Sequence, residues 1–336
     1  MKLSICVPTF NRDLFIRDMV KSISGENLKD IELVVVDGGK SSETKKIILD
    51  NLDPDIEFNY MKSDLNKGMD LDVVQAVENA KGEYCWLMSD DDVFDKNAID
   101  KILEIINSKC DIYLTDIIFC DENMNKFGRS NFLFKNNNSK KFNISNDAEF
   151  EKYMKLSSSN NALFCFMPAI IFKRENWTKY DNQVQDYVYG YNHVYKLFDP
   201  KNYLNEYYLQ YIDDPLLLNR SFNDSYSKAG ILNRYLIDFE GYIKLSDLIF
   251  KDQDHIKNIF IANMKKEHGF MRILKLRTLI NNVEWRYISS LLLKFGYKNM
   301  FLYSINAINL VRVNYFLIPL FEKLNFLIKK IKIKIY

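Results

Sequence analysis

Hydrophobic and polar positions follow two alternating periods over the first 120 residues of the chain. Short apolar runs rich in β-branched residues predict buried strands at 3–10, 31–39, 56–62, 83–89 and 110–121. Between these runs, apolar residues recur at helical spacing and predict helices at 14–24, 42–52, 70–80 and from Asn97 onward. Strands that alternate with such helices are typical of βαβ units. We therefore predict an α/β fold with a mostly parallel sheet flanked by helices.

The remaining residues show a less regular pattern. Residues 134–147 are polar and rich in Asn, which predicts a surface loop or lid, and 168–174 has the pattern of a further strand. From residue 183 the sequence is rich in aromatic residues and predicts mostly helices, and 255–336 has helical spacing throughout. The pattern predicts three parts of the chain: a main domain at 1–200, an extension at 201–255 and a basic helical region at 256–336.

The composition is that of a globular protein, but the charge is unevenly distributed. The 336 residues are 47% hydrophobic and 27% charged, which excludes disordered and fibrous classes. Residues 270–336 carry 12 Lys and Arg against 2 Asp and Glu, while the whole chain has a net charge of only +1. A mildly acidic body argues against nucleic-acid binding, which requires a basic patch on the working domain. A basic region rich in apolar residues instead predicts attraction to an anionic membrane surface.

The sequence also constrains the cellular compartment. The apolar run at the N-terminus ends at Pro8 and is too short for the core of a signal peptide. No uncharged apolar run reaches the roughly 18–20 residues of a membrane-spanning helix. We therefore expect a cytoplasmic protein that lies on the inner face of the cytoplasmic membrane. The number of cysteines is odd and none forms a C-x-x-C pair: Cys6, Cys85, Cys110, Cys120 and Cys165. Four of the five lie inside apolar runs, which predicts buried free thiols and a reducing compartment.

Two predicted strands end in carboxylates that are candidates for chemistry. Asp90, Asp91 and Asp92 follow one strand, and Asp37 follows another. Three adjacent carboxylates repel one another, and a bound cation relieves that repulsion. Oxygen ligands of this kind suit Mg²⁺ or Mn²⁺ bridging to substrate phosphates. The alternatives remain open at this point: a solvated acidic cap for the helix after Asn97, and an ordinary Asp-Gly turn at Asp37.

Four motifs in order resemble those of glycosyltransferase family 2. They are SICVPTFNR at 4–12, VVVDGGKSSET at 34–44, NKG at 66–68 and GEYCWLMSDDD at 82–92. The last one most resembles the subgroup of bacterial surface-polysaccharide abequosyltransferases. The resemblance implies a GT-A fold, which is Rossmann-like, with a C-terminal helical extension here. It also implies a metal-dependent, inverting hexosyl- or deoxyhexosyltransferase that moves a sugar from a nucleotide-diphosphate sugar to a cell-surface glycan or lipid-linked glycan.

The resemblance also implies the residues of the donor site. Asp37 would contact the nucleotide base, and Asp90 would help to hold the ribose and the diphosphate. The family's first Asp is replaced here by Ser89, so the metal carboxylates would be Asp91 and Asp92, binding Mn²⁺ or Mg²⁺. The other residues that fall on the family's donor-binding positions are Pro8, Thr9, Asn11, Asn66 and Gly68.

An inverting transfer requires a base that takes the proton of the acceptor hydroxyl. In the family this is usually the Asp of a Glu-Asp pair that opens a helix after a strand. Here Gln185 and Asp186 take that place, so Asp186 is the predicted base and Asp181 the second choice, while Glu175 is too close to the strand. His193 lies two turns further on and would bind acceptor, phosphate or metal, or simply pack among tyrosines.

Two other functions compete with this prediction. A sugar-nucleotide pyrophosphorylase would need a G-x-G-x-R loop after the first strand, and the segment TFNRDLF contains no glycine. A catalytically inactive scaffold that binds a partner enzyme is the second alternative, and the complete Asp90–Asp92 run argues against it. The sequence leaves open the donor sugar, the nucleotide, the acceptor and the oligomeric state.

Overall fold

The structure is a computed structural model of the chain. It describes residues 1–25, 27–63, 68–134, 140–178, 188–198, 206–221, 223, 230–251, 253–310, 316, 318–320 and 323. Its strands are β1 (Leu3–Thr9), β2 (Ile31–Asp37), β3 (Glu57–Lys62), β4 (Tyr84–Leu87), β5 (Val93–Phe94), β6 (Ile112–Cys120), β7 (Lys126–Arg129), β8 (Lys141–Asn143), β9 (Ile170–Lys173) and β10 (Tyr208–Arg220).

The described helices extend to the C-terminal region. They are α1 (Asp13–Ser22), α2 (Thr44–Leu49), α3 (Met69–Glu78), α4 (Ala98–Ile105), α5 (Asp147–Leu156), α6 (Arg174–Thr178), α7 (Asn192–Phe198), α8 (Ile231–Ile249), α9 (Asp254–Met264), α10 (Phe270–Leu279), α11 (Asn282–Lys294) and α12 (Asn299–Leu310).

All described strands belong to one sheet with the order β3-β2-β1-β4-β9-β6-β10-β5, while β7 pairs with β6 and β8 with β10. Strands β3, β2, β1 and β4 are parallel, and so are β6 and β10. Strand β9 is antiparallel to both of its neighbours, β4 and β6. The predicted α/β fold is confirmed, with its parallel strands concentrated in the first half of the chain.

The parallel strands bring the candidate residues to one edge of the sheet. Every residue of β1 and β2 is buried, as expected for strands that helices cover on both faces. Thr9 is the partner of Asp37 in the register of these two strands. Strand β4 runs in the same direction on the other side of β1, so the Asp90–Asp92 turn leaves the sheet at the same edge. Ligands of such sheets bind beyond the carboxyl ends of the strands.

One long strand lies where the sequence predicts mostly helix. After α7, residues Tyr208–Arg220 form β10, parallel to β6 at the interior of the sheet. The sequence pattern is misleading here because Asp213, Asp214 and Pro215 interrupt the apolar run. In the structure the register shifts between Ile212 and Leu217, so these residues lie at an irregularity where a strand tolerates proline. The helical prediction was therefore wrong for 206–221.

The predicted surface loop at 134–147 is also partly regular. Residues Lys141–Asn143 form β8 and pair with β10, and α5 begins at Asp147. Residues 135–139 lie outside the described part of the chain. A short edge strand of three residues gives little periodic signal, so the polar composition dominated the prediction.

The C-terminal helices pack into the same hydrophobic core as the sheet. Leu292, Phe295 and Ile305 are fully buried and belong to the core cluster that also contains Leu3 and Val35. The prediction of a helical region is confirmed through Leu310, and none of the helices in the described ranges is long and apolar enough to cross a membrane. The boundaries proposed at residues 200 and 255 stay predictions. The five cysteines are free thiols, and four of them are buried.

We expect Phe295→Ala to lower the free energy of unfolding by about 3–5 kcal/mol, the usual cost of removing a buried aromatic ring. The Phe295 ring is fully buried, with its centroid 5.5 Å from that of Phe239 and 6.1 Å from that of Tyr242. The matched control is Val283→Ala on α11, the helix that Phe295 follows, because Val283 is 75% exposed and its substitution should change stability by less than about 0.5 kcal/mol. Urea denaturation measures both. Equal stability of the two variants would mean that the C-terminal helices are an appendage rather than part of the core.

Candidate functional site

The turn Asp90–Asp92 connects β4 to β5, and its first carboxylate is held by the end of β1. The Thr9 hydroxyl donates to Oδ2 of Asp90 at 2.8 Å, and the Arg12 guanidinium donates to Oδ1 at 3.0 Å. Asp90 is only 4% exposed. Both of its carboxylate oxygens therefore have protein partners.

The second carboxylate of the turn is the least enclosed by hydrogen bonds. Oδ2 of Asp91 accepts from Arg12 at 2.7 Å and from the Asn223 side chain at 2.9 Å. The backbone carbonyl of Asp91 accepts from Nε of Arg220 at 3.1 Å. No described residue donates a hydrogen bond to Oδ1 of Asp91. Within the described part of the chain, this is the carboxylate oxygen of the turn that has no hydrogen-bond donor, so it is the candidate for binding a ligand.

The third carboxylate points into the protein and connects the turn to the end of β10. Oδ1 of Asp92 accepts from the Asn219 side chain and from the backbone N–H of Arg220, both at 2.9 Å. Oδ2 accepts from the hydroxyl of Ser89 at 2.7 Å. Asp92 is 1% exposed, so its contacts are those of a structural carboxylate.

Burial changes the protonation of this turn. Desolvation raises the pKa of Asp90 to about 6, although the Arg12 charge opposes the shift. Desolvation, together with the negative charge of Asp91, raises the pKa of Asp92 to about 7. The physical cause is that a carboxylate in a poorly solvated site favours its neutral form unless a cation lies beside it. A proton or a cation must therefore compensate the charge that the turn would otherwise carry.

Asp37 lies in a separate polar pocket at the end of β2. Its Oδ1 accepts from Gly39 N–H at 2.7 Å, and its Oδ2 accepts from Tyr60 at 2.7 Å and from Lys62 at 2.9 Å. Burial alone would raise the pKa of Asp37, but these three donors outweigh it and lower the pKa. Gly39 is required here because a Cβ would come within 2.6 Å of Asn11 N. The Asp37 side chain is fully buried, so a base contact requires one of its donors to move.

The other predicted donor-site residues lie around the same edge or outside the described chain. Pro8 pairs with Val36 in the sheet register, and the Asn11 side chain accepts from the backbone of Lys40 at 2.8 Å. Gly68 opens α3 with a φ of +93°, a conformation that favours glycine. Asn66 lies outside the described residues.

The structure describes little of the predicted base segment. Asp186 and Asp181 lie outside the described residues, so their roles stay predictions. Glu175 forms an ion pair with Lys173 at 3.2 Å on the surface. His193 is buried, and its Nε2 lies 2.9 Å from the carbonyl of Phe164. Burial lowers the pKa of His193, although the charge of Asp70 opposes the shift. The buried contacts with Phe164 and Tyr191 are those of a packed histidine.

Four residues of the site received no role from the sequence: Arg12, Asn219, Arg220 and Asn223. Arg12 lies within the SICVPTFNR motif, directly after β1, where its position at a strand end was a usable signal. Arg220 ends the apolar run LLLNR, and the same signal singled out Asp37 and Asp90. It was overlooked because β10 was not recognised as a strand. Asn223 follows Arg220 closely and lacked a signal of its own.

The donor set fits a divalent cation only if the substrate completes the site. Among the described residues, no group of three His, Cys, Asp or Glu side chains is arranged to hold a metal ion. Asp91 offers one carboxylate oxygen, whereas Asp92 has both of its oxygens engaged. Mg²⁺ in phosphate-handling sites usually retains waters and binds one or two carboxylates together with substrate phosphates. The turn is compatible with that arrangement through Asp91.

Comparison with known sequences identifies the family. The sequence model described as "Glycosyl transferase family 2" matches residues 4–176, slightly more than half of the chain. The abequosyltransferase RfbV of Salmonella typhimurium is 27% identical over 309 residues, which are 89% of this chain and 91% of the relative. The GalNAc(5)-diNAcBac-PP-undecaprenol beta-1,3-glucosyltransferase of Campylobacter jejuni is 24% identical and covers 76% of this chain and 78% of its own.

Solved structures support the GT-A fold. TarS of S. aureus, solved in complex with UDP-GlcNAc, aligns with a TM-score of 0.63 at 16% identity over 88% of this chain and 80% of its own. The mannosyltransferase PcManGT of Pyrobaculum calidifontis, in complex with GDP-Man and Mn²⁺, aligns with a TM-score of 0.51 at 13% identity. It covers 92% of this chain and 87% of its own. At these identities the likeness concerns the fold.

We expect the ion pair of Asp37 to make stability depend on pH. Because its pKa is lowered in the folded state, its contribution is present at neutral pH and is lost as the pH falls below the ordinary pKa of an aspartate and through the lowered one. Asp37→Asn should therefore be less stable than the unmodified chain at pH 7, by an amount that shrinks at acidic pH. The control is Glu57→Gln, which removes a solvent-exposed ion pair with Lys81 that is expected to contribute little to stability. Urea denaturation across pH 3–7 measures both; a loss that does not change with pH would contradict the assignment.

Proposed function

The chain belongs to glycosyl transferase family 2, and we propose that it moves a sugar from a nucleotide-diphosphate sugar to a hydroxyl of a growing cell-surface glycan, with inversion. The observation that carries the proposal is the meeting of Thr9, Asp37 and the Asp90–Asp92 turn at one edge of the sheet. The full-length similarity to an abequosyltransferase supports a surface polysaccharide as the product. The complexes of the structural neighbours with UDP-GlcNAc and with GDP-Man support a nucleotide-sugar donor.

In this proposal the donor lies across the ends of β1, β2 and β4. Asp37 orients the base from its pocket, with Pro8, Thr9, Asn11 and Gly68 around it, and Asn66 on the adjoining segment. Asp90, fixed by Thr9 and Arg12, faces the ribose and the diphosphate. Such contacts hold the donor in the same way in the ground state and in the transition state, so they mainly determine donor affinity.

Asp91 is the proposed ligand of Mn²⁺ or Mg²⁺, because its Oδ1 accepts no hydrogen bond from the described residues. Asp92, the second predicted ligand, would have to give up contacts to Ser89 or Asn219 in order to bind metal. When bound, a divalent ion offsets the charge that develops on the leaving diphosphate. The similar mannosyltransferase complex with Mn²⁺ supports this part of the proposal.

The acceptor side rests on sequence. Asp186 is the proposed base that takes the proton of the acceptor hydroxyl, and Asp181 is the second choice. Both lie in the segment before α7, and the described residues 188–198 lead directly from that segment into the core. In an inverting displacement the acceptor hydroxyl attacks from the side opposite the leaving diphosphate, so the base must lie on that side.

We also propose that the acceptor is lipid-linked and that the enzyme lies on the anionic inner face of the cytoplasmic membrane. The Campylobacter relative has a PP-undecaprenol glycan in its name. On the C-terminal helices, large apolar side chains remain exposed: Val283 at 75%, Met300 at 79%, Tyr303 at 72% and Phe316 at 81%. Cationic side chains are exposed in the same region of the chain, at Arg286 and Lys294 on α11 and at Lys298 in the loop that follows. Apolar side chains beside cations are the combination that interfacial binding requires.

We expect Asp91→Asn to lower metal-dependent donor hydrolysis by about 10²-fold or more, because an amide is a poor ligand for a hard cation. Asp92→Asn is the matched control and should retain activity within about tenfold. Its amide oxygen can still accept from Asn219 and Arg220, and its amide group can donate to Ser89.

The sugar donor for the assay is first chosen by thermal shift among UDP-, GDP-, CDP- and dTDP-sugars, since a ligand of the folded state raises the melting temperature. Hydrolysis is then followed at several Mn²⁺ concentrations. Full activity of Asp91→Asn would remove the metal assignment, and equal loss in both variants would place Asp92 among the ligands.

We expect charge reversal at Arg286, Lys294 and Lys298 to Glu to release the protein from anionic liposomes in flotation assays. Each cation near such a surface contributes about 1 kcal/mol, which falls with salt. The control reverses three exposed lysines elsewhere, Lys46, Lys96 and Lys109, and should float normally. Point variants are preferable to truncation because the C-terminal helices also supply buried core residues. Flotation that both triple variants retain would exclude this surface as the membrane contact.

A further inference from the structure

We infer that Arg12 is a built-in counter-cation of the acidic turn, and that it excludes a divalent metal ion until a nucleoside diphosphate binds. The inference rests on the proposed function of the turn and adds an order to it: metal and nucleotide bind together rather than independently. It concerns a residue to which the sequence assigned no role.

The guanidinium of Arg12 lies between the two carboxylates that face the proposed donor site. One terminal nitrogen is 3.0 Å from Oδ1 of Asp90, and the other is 2.7 Å from Oδ2 of Asp91. The Arg12 side chain is 14% exposed, and those of its partners are 5% and 13% exposed. A planar guanidinium that bridges two carboxylates in a poorly solvated site forms strong, oriented hydrogen bonds. Arg12 thus supplies the positive charge that the crowded carboxylates require.

A second arginine reinforces the positive charge. The guanidinium carbons of Arg12 and Arg220 lie 5.0 and 5.1 Å from the centre of the Phe15 ring. Arg220 also donates to the backbone carbonyl of Asp91 and pairs with Asp18 at 3.2 Å. Two fixed guanidinium groups therefore lie beside the turn. A divalent cation that arrives alone meets repulsion from both of them at short range.

A bound diphosphate changes this balance. Nε of Arg12 is buried and has no hydrogen-bond partner in the described part of the chain, so the guanidinium retains an unmet donor. A phosphate oxygen is a natural acceptor for that group. Once Arg12 pairs with the diphosphate, Asp91 is released from part of its ion pair while the phosphates add negative charge. The metal ion then gains phosphate oxygens as ligands and no longer competes with Arg12 for Asp91. The metal ion and the nucleotide therefore each raise the affinity of the protein for the other.

The test measures the affinity for Mn²⁺ itself, by electron paramagnetic resonance of free Mn²⁺ with the full chain. Titrations are made without nucleotide and with whichever of UDP, GDP, CDP or dTDP raises the melting temperature most, corrected for Mn²⁺ bound by free nucleotide. We expect weak binding of Mn²⁺ alone and binding at least about tenfold tighter with nucleotide. Arg12→Gln should bind Mn²⁺ alone about tenfold more tightly than the unmodified chain, because one adjacent positive charge is removed. Its gain from nucleotide should shrink correspondingly.

Two further variants isolate the charge at this position. Arg17→Gln removes an arginine of α1, the helix that Arg12 precedes; Arg17 pairs with Asp18 rather than with the turn, so this variant should leave Mn²⁺ binding unchanged. Arg12→Lys retains the charge but not the two-pronged contact, so its affinity for Mn²⁺ alone should lie nearer to that of the unmodified chain than to that of Arg12→Gln.

The possible failures are distinguishable from one another. Mn²⁺ binding to the unmodified chain that is equally tight with and without nucleotide overturns the inference, even if no variant folds. If a folded Arg12→Gln variant binds Mn²⁺ alone with the same affinity as the unmodified chain, the inference about Arg12 is also wrong. The proposed metal site is still supported in that case if the unmodified chain binds Mn²⁺ tightly in the presence of nucleotide. If neither the unmodified chain nor Arg12→Gln binds Mn²⁺, with or without nucleotide, the inference and the metal part of the proposed function are both wrong.

Discussion

The structure depends on the compensation of three consecutive carboxylates in a turn that is largely buried. Asp90 and Asp91 share the guanidinium of Arg12, and Asp92 is enclosed by neutral donors at the end of β10. These contacts join β1, β4 and β10, which are far apart in sequence. Removing one partner from such an arrangement leaves a charge without compensation, which costs much more than the loss of an exposed ion pair. The turn is therefore a structural junction as well as a candidate site.

The same compensation explains how the site can serve a reaction that releases a diphosphate. A buried acidic turn without cations would repel the phosphates, whereas this turn has two arginines beside it. Asp37 lies in its own pocket with Lys62 and Tyr60, so its charge is compensated separately. The proposed donor site is thus divided into a pocket proposed for the base and a region proposed for the phosphates, each with its own balance of charge.

The C-terminal helices are connected to the sheet domain by a buried polar network as well as by apolar packing. The hydroxyl of Tyr191, just before α7, donates to Asp238 on α8, and His268, just before α10, lies 3.2 Å from the same carboxylate. Burial alone would raise the pKa of Asp238, but His268 and Arg234 outweigh it and lower the pKa. Such a network fixes one arrangement of the helices, because any displacement would leave a buried carboxylate without its partners. The residues that follow the proposed base segment are therefore anchored to the C-terminal helices, which carry the exposed apolar and basic side chains.

The sequence by itself determined the fold class and most of the donor edge. Apolar periodicity located β1, β2 and β4, and strand ends placed Asp37 and Asp90 together, since parallel neighbouring strands finish at one edge. Only the tertiary structure decided how the three carboxylates differ, with Asp92 turned inward and Oδ1 of Asp91 without a hydrogen-bond donor among the described residues. It also decided that Arg220 completes the site. The physical reason is that a local pattern reports burial and spacing within one element, whereas the hydrogen bonds to Asp92 and the contact of Arg220 with Asp91 come from the distant strand β10. The register irregularity of β10 at Pro215 hides that strand from any periodic signal.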